Sequence, residues 1–158
     1  MNSKPNQTTL LLKAQVYFNS GVVKSNLQDY EGAIADFNKA TQIAPNYATP
    51  YYNRAFLKIR VQDDLGAIVD FNKAIALHPK DAIPYYYINA YQNRANAKYR
   101  LKEYLGAIVD YSKAIELKPI FATAYYKRGL CKTALNQKKA GDLDFSKAKE
   151  MGYKRRDK

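Results

Sequence analysis

Few residues in this chain have the chemistry that a catalytic site requires. The single histidine, His78, precedes Pro79, and the single cysteine, Cys131, has no histidine near it in the sequence. Asp63 and Asp64 are adjacent in a segment predicted to join two helices, where carboxylates commonly cap helix ends. The sequence has no glycine-rich phosphate loop and no metal-ligand spacing of cysteine and histidine. These features predict a protein that is not an enzyme and that holds no cofactor and no metal.

The chain has an excess of positively charged side chains, and they are unevenly distributed along the sequence. The net charge is +12, and residues 97–158 carry 16 Lys/Arg against 7 Asp/Glu. Such a basic half can attract nucleic acid, an anionic membrane surface or an acidic protein, or it can simply keep the surface solvated. No apolar run is long enough to span a bilayer. One cysteine permits no intrachain disulfide, which favours a reducing, cytoplasmic location.

The elements that would position these side chains are predicted by an internal repeat. Residues 32–40 (GAIADFNKA) return as 66–74 (GAIVDFNKA), as 106–114 (GAIVDYSKA) and, more weakly, as 140–148 (AGDLDFSKA). Apolar residues recur at i, i+4 and i+7 in each copy, which indicates a packed helix. A stretch with the same spacing precedes each copy, so each unit is predicted to contain two helices. Prolines that stop a helix follow the first three copies, at Pro45, Pro79 and Pro119.

The spacing of aromatic, small and proline residues resembles the tetratricopeptide repeat, a helix–turn–helix unit of 34 residues. The matching sets are Tyr17, Gly21, Ala33, Phe37, Ala40 and Pro45; Tyr51, Ala55, Ala67, Phe71, Ala74 and Pro79; Tyr91, Ala95, Ala107, Tyr111, Ala114 and Pro119; and Tyr125, Gly129, Gly141, Phe145 and Ala148. The resemblance implies an all-α, right-handed α-solenoid of tandem repeats. We predict an N-terminal segment at 1–13, repeats at 14–47, 48–81, 82–121 and 122–153, and a basic tail at 154–158.

Two departures from the family pattern lead to further predictions. The third repeat is six residues late, because residues 82–87 are additional. Pro84 is a good first-turn residue, so the first helix of this repeat is predicted to run from about Pro84 to Leu101, with a bulged loop as the alternative. In the fourth repeat, Asp142 and Lys149 occupy positions that are mostly isoleucine elsewhere, which predicts a solvated open end. Self-association through remaining apolar surface stays an alternative.

In this family the first helices line a concave groove that binds peptides. Counting position 1 at residues 14, 48, 88 and 122, the positions opposite the core are 2, 5, 6, 9, 12 and 13. The groove residues predicted in this way are Phe18, Asn19, Tyr52, Asn53, Phe56, Arg60, Gln92, Asn93, Asn96, Tyr99, Arg100, Tyr126 and Lys127. Asn19, Asn53 and Asn93 share position 6 and resemble the asparagine ladder of superhelical relatives that hold extended peptides. The alternative is that these amides bond to neighbouring turns of the scaffold.

The family also contains a clamp for the C-terminal carboxylate of chaperones, and this sequence departs from it. The clamp needs cations and asparagines at five positions, but Phe18, Val22, Asn89 and Asn93 occupy four of them, and only Asn53 matches. Binding of a chaperone tail is therefore not expected, although Arg60, Arg100 and Lys127 would favour a ligand with acidic groups. We predict a non-catalytic scaffold that binds a peptide or protein segment. The alternatives are a polyanion-binding protein, with nucleic acid less favoured, and a homo-oligomeric scaffold.

Overall fold

The computed structural model describes residues 6–77 and 84–154. His78, Pro79, the first two inserted residues and the last four residues of the basic tail lie outside the described residues. Within them the chain forms eight α-helices and no strand. The helices are α1 (Gln7–Asn26), α2 (Tyr30–Ile43), α3 (Ala48–Arg60), α4 (Asp64–Leu77), α5 (Pro84–Arg100), α6 (Tyr104–Leu117), α7 (Ala122–Ala134) and α8 (Lys138–Glu150). Two compact units divide them, with α1–α4 in Met1–Lys80 and α5–α8 in Asp81–Lys158.

Each helix pair is joined by a tight turn, and in the first two pairs an aspartate side chain caps the second helix. Asp29 Oδ1 accepts a hydrogen bond from the Gly32 N–H at 2.9 Å, and Asp63 does the same for Gly66 at 2.9 Å. This is the capping role predicted for the Asp63-Asp64 pair. A β-carbon on either glycine would lie 2.1 Å from the capping carboxylate, so a larger residue would displace the aspartate side chain from its capping position. The residue before each second helix's cap has a positive φ: Gln28 (64°), Gln62 (63°), Lys102 (61°) and Asn136 (61°).

Small residues bring the two helices of a pair close together around one aromatic ring. Phe37, Phe71 and Tyr111 are at most 1% exposed, and alanines next to them are completely buried. Where the small residue is glycine, as at Gly129 in α7, a β-carbon would lie only 2.6 Å from the Phe145 ring. The repeated small and aromatic positions of the sequence therefore form the core.

A buried aspartate from the second helix of each pair bonds to polar side chains of the first helix. Asp144 is 4% exposed, and Arg128 Nε and Nη2 donate to its two carboxylate oxygens at 2.8 and 2.7 Å. Lys132 Nζ adds a third contact at 2.9 Å. Burial would raise the pKa of Asp144, but the hydrogen bonds from both cations outweigh it and the pKa is lowered. Equivalent sets are Arg54 and Lys58 with Asp70, Arg94 and Lys98 with Asp110, and Ser20 and Lys24 with Asp36.

The same arginines also contact the preceding helix pair. Arg54 Nη1 donates to Asn38 Oδ1 at 2.7 Å and to Thr41 Oγ1 at 3.0 Å. Arg128 Nη1 donates to Ser112 Oγ at 3.0 Å. One guanidinium therefore neutralises a buried carboxylate within its pair and ties that pair to the one before it.

The structure answers the questions about helix length and the last repeat. Helix α5 begins at Pro84, so the long-helix interpretation is confirmed over the bulged loop. It has 17 residues, whereas the equivalent helices α3 and α7 have 13 each. Helix α1 begins at Gln7, so residues 7–13 of the predicted N-terminal segment are helical. Asp142 and Lys149 are exposed on α8.

Candidate peptide-binding surfaces

The predicted aromatic residues of the first unit are shared between the surface and the core. The Phe18 ring lies 5.8 Å from that of Phe37 and 5.6 Å from that of Tyr47, measured between centroids. Tyr52 makes the matching contact with Phe71 at 5.9 Å. Both first-helix rings are half-buried. Each can therefore offer one edge to a ligand while its other side holds the helix pair together.

The two position-6 asparagines of the first unit, Asn19 and Asn53, differ in how many of their side-chain hydrogen-bonding groups a ligand could use. Asn19 is exposed, and its side chain makes no hydrogen bond within the described part of the chain. Asn53 Nδ2 donates to the Thr49 carbonyl at 2.9 Å, one turn earlier in α3. Asn53 thus makes the bond to a neighbouring turn that was weighed as the alternative, yet its Oδ1 keeps its capacity to accept.

An exposed aromatic residue and a cation stand together at the end of α3. Phe56 is 40% exposed, and the Arg60 guanidinium lies 5.6 Å from its ring centroid. The stacked pair presents both an apolar face and a positive charge. Elsewhere in this unit, a cavity of about 520 Å³ is lined by residues that include Leu10, Leu11, Ile43, Pro45 and Tyr47. Sequence reasoning missed this cavity, because the first two of these residues precede the repeat pattern.

In the second unit a hydrogen-bonded network joins predicted groove residues to the core. Asn96 Oδ1 accepts from the Tyr111 hydroxyl at 2.8 Å and from Lys127 Nζ at 2.8 Å. Position 5 of this repeat is Gln92, whereas the other repeats have an aromatic residue there. Gln92 and Asn93 are half-buried, and neither makes a hydrogen bond with another described residue.

The electrostatic environment of Lys127 is unusual for a half-buried cation. Burial lowers the pKa of Lys127, and the nearby positive charge of Arg100 lowers it further. Among the described residues no carboxylate forms an ion pair with it. Tyr99 packs on Tyr104 at 5.7 Å, and burial raises the pKa of the Tyr99 hydroxyl.

The last groove aromatic residue is covered by the end of the chain. The Tyr126 ring lies 5.4 Å from the Phe145 ring and stacks on the Tyr153 ring at 4.4 Å with an angle of 21°. Tyr153 stands where the other repeats have proline. Its aromatic stacking shows how the fourth repeat ends without that proline.

The described residues contain no obvious metal or membrane-spanning feature. Over 6–77 and 84–154, no group of three or more His, Cys, Asp or Glu side chains is arranged to hold a metal ion. No helix in those ranges is both long enough and apolar enough to cross a membrane. Burial raises the pKa of the Cys131 thiol to about 11, so at neutral pH this cysteine is protonated and unreactive.

A family model described as "TPR repeat" matches residues 26–60 and 95–132. Over these two ranges the chain contains tetratricopeptide repeats. The TPR fold is also that of the solved structures it resembles, so the predicted all-α solenoid of tandem helix–turn–helix repeats is confirmed. No curated protein sequence matches the chain at a significant level.

Three solved TPR structures illustrate the similarity. A structure of MamA has a TM-score of 0.78 at 24% identity and covers 87% of this chain and 77% of its own. YrrB, described as a TPR protein with an unusual peptide-binding site, has a TM-score of 0.78 at 18% identity, with coverages of 94% and 75%. The first TPR of Spaghetti (RPAP3), bound to the HSP90 peptide SRMEEVD, has a TM-score of 0.70 at 27% identity, with coverages of 80% and 95%.

Proposed function

We propose that this chain is a non-catalytic TPR scaffold or adaptor, which binds an extended peptide or protein segment along the ligand-facing side of its first helices. The observation that carries the proposal is the amount of recognition chemistry on these helices that the fold does not use. Asn19 has no partner among the described residues, Asn53 keeps a free acceptor, and Phe56 is 40% exposed beneath a guanidinium. Amides pair with a peptide backbone in either direction, and exposed aromatic residues supply apolar anchors.

Relatives with bound or recognised peptides support the same kind of function. The RPAP3 structure holds an HSP90 peptide, and the YrrB structure is described by its peptide-binding site. We expect a different ligand here from the chaperone tail, since Phe18, Val22 and Asn93 replace cations or amides that the family's clamp requires. A cytoplasmic location is part of the proposal, because a single buried thiol needs no oxidising environment.

The first test is a pull-down from a nuclease-treated lysate at low and moderate salt. Wild type is compared with the double variant Asn53→Ala/Asn93→Ala and with the control Glu31→Ala/Lys139→Ala, whose two residues are exposed on second helices. We expect a partner protein that wild type and control retain at moderate salt and that the asparagine variant loses. Direct binding of the purified partner, measured by calorimetry, should then give the same order of affinities.

Two results would count against a groove ligand. Capture that is equal for all three proteins would mean that the position-6 asparagines do not contact the ligand. Capture that disappears with nuclease or with moderate salt would indicate binding to polyanions through the basic surface, since phosphate contacts weaken steeply as salt rises.

A further inference from the structure

Lys127 differs from the other half-buried cations of its unit because no carboxylate of a described residue pairs with it. Arg94 and Lys98 share Asp110, and Arg128 and Lys132 share Asp144. Within the described part of the chain, Lys127 donates its one hydrogen bond to the neutral Asn96 amide oxygen, at 2.8 Å.

The orientation of the Asn96 amide follows from this contact. An ammonium group can only donate hydrogen bonds, so the Asn96 atom that faces Lys127 must be Oδ1. The Tyr111 hydroxyl donates to the same oxygen at 2.8 Å, which uses its second lone pair. Two N–H donors of Lys127 and the amide N–H₂ of Asn96 are therefore left without acceptors among the described residues.

This arrangement is unfavourable for the isolated protein. Partial burial removes water from the Lys127 ammonium, and the charge of Arg100 repels it. An anion placed beside Lys127 would relieve both effects and would satisfy the vacant N–H donors.

We propose that Lys127, Arg100 and Asn96 form a subsite for the carboxylate of an aspartate or glutamate side chain in the bound segment. The inference rests on the proposed groove function and adds a chemical requirement for the ligand. Neighbouring aromatic residues favour a carboxylate over a nucleotide phosphate. Tyr126 is stacked on Tyr153 at 4.4 Å, so one of its faces is already occupied, and Tyr99 contacts Tyr104 at 5.7 Å in a tilted arrangement. Less ring surface is therefore left on which bases could stack.

The test begins with selection of random peptides, displayed on phage, against the full chain at physiological salt. Wild type, Lys127→Gln and Lys139→Gln are used as baits. The glutamine keeps a donor for Asn96, and Lys139→Gln removes the same charge from an exposed site of the same unit. We expect wild type and Lys139→Gln to enrich peptides with an acidic residue at one fixed place, and Lys127→Gln to lose that preference.

A selected peptide is then synthesised with a fluorescein label, in its acidic form and with the carboxylate replaced by the amide (Glu→Gln or Asp→Asn). Wild type should bind the acidic peptide about tenfold more tightly than the amide peptide, the scale of a charge-assisted hydrogen bond. Lys127→Gln should bind the two peptides equally. Its urea-unfolding midpoint should equal or exceed that of wild type, because an uncompensated charge has been removed.

The failures of the two proposals can be told apart. Enriched peptides that show no acidic preference but bind the Asn53→Ala/Asn93→Ala variant more weakly than wild type would overturn the carboxylate subsite and keep the groove. A destabilised Lys127→Gln that weakens both peptides equally would assign Lys127 a structural role and would also overturn the subsite. If no bait enriches peptides above the bare support, the groove function fails and the subsite with it. Preferred binding of a single-stranded oligonucleotide over every selected peptide would overturn the choice of a carboxylate ligand.

Discussion

Replacing Arg128 by methionine should reveal how strongly the buried ion contacts stabilise the repeats. The substitution keeps an apolar side chain of similar length but removes both guanidinium bonds to Asp144, at 2.8 and 2.7 Å. Lys132 Nζ remains, 2.9 Å from one carboxylate oxygen. The bond to Ser112 at 3.0 Å is lost as well. Asp144 would then be a buried carboxylate with one of its two cationic partners.

The size of the effect follows from these contacts. Removing one partner of a buried ion pair costs about 3–5 kcal/mol, because the other charge stays buried. Lys132 compensates in part, so a loss of about 3 kcal/mol in the free energy of unfolding is expected. For a chain of this size each kcal/mol lowers Tm by about 2–4 °C, which gives a decrease of roughly 10 °C.

Urea denaturation followed by circular dichroism, together with a thermal scan, measures this loss. The informative control is the triple variant Arg128→Met/Lys132→Met/Asp144→Leu, which removes every charge of the set. It should recover most of the stability, since a buried ionic group replaced by apolar residues of similar volume is often neutral or stabilising. A loss below about 1 kcal/mol for Arg128→Met would refute the reasoning. A triple variant less stable than the single variant would also refute it.

Four further predictions concern packing and ionisation. Gly129→Ala should lower the free energy of unfolding by about 1–3 kcal/mol in urea denaturation, since the added β-carbon would lie 2.6 Å from a ring carbon. In Gly106→Ala the added β-carbon would lie 3.2 Å from a lysine side chain, which can shift slightly, so this variant should be neutral or gain up to about 1 kcal/mol. Tyr111→Phe should cost about 1 kcal/mol in the same assay through the lost hydroxyl bond. Cys131, whose thiol pKa is raised to about 11, should react with a thiol reagent at pH 8 only after urea unfolding. The pKa of Asp144 in the folded protein lies below its ordinary value, so ionised Asp144 stabilises the fold above about pH 4, and this stabilisation is lost as the pH falls through the folded pKa. The urea midpoint of Asp144→Asn should therefore fall less steeply with acid than that of wild type.

The fold could be predicted because each repeat has small and aromatic residues at the positions where packing between two helices requires a side chain of a particular size. Ala33, Phe37 and Ala40 recur with a helical period, and all three are at most 1% exposed. Only small residues let two helices approach, and only a large ring fills the space between them. Pro84 likewise predicted the start of α5, because proline is compatible with the first turn of a helix and not with its interior.

The buried ion contacts could not be predicted from local patterns, because each partner alone resembles an ordinary surface charge. Arg128 and Asp144 are 16 residues apart and meet only when the two helices fold back on each other. A signal was nevertheless present. The same Arg-to-Asp spacing recurs at Arg54 and at Arg94 in their own repeats. A cation on the first helix and a carboxylate on the second helix that recur at one spacing are candidates for pairing, but exposed lysines such as Lys39 and Lys73 recur just as regularly, so the spacing alone does not decide.

The candidate groove could be predicted only in part. The sequence pattern divides each first helix into a core face and a ligand-binding face. It places Phe18, Tyr52 and Tyr126 on the ligand-binding face. Each of these rings also packs on an aromatic residue of the second helix. The sequence, with its 26 lysines and arginines, likewise could not show that no described carboxylate pairs with Lys127, because this depends on which carboxylates the fold brings within reach.

The double contact of the position-7 arginines has a consequence for rearranged versions of the chain. Arg54 needs Asn38 and Thr41 from the repeat before it, and Arg128 needs Ser112. The first repeat has Ser20 at the same position, and within the described residues this short hydroxyl bonds to Asp36 of its own repeat. If the second or fourth repeat were placed first in a shuffled array, Nη1 of its arginine would have no acceptor on a preceding repeat. If the first repeat were placed at an internal position, the acceptor of the repeat before it would receive no hydrogen bond. These polar contacts therefore distinguish the first repeat from the other three, each of which carries an arginine at position 7.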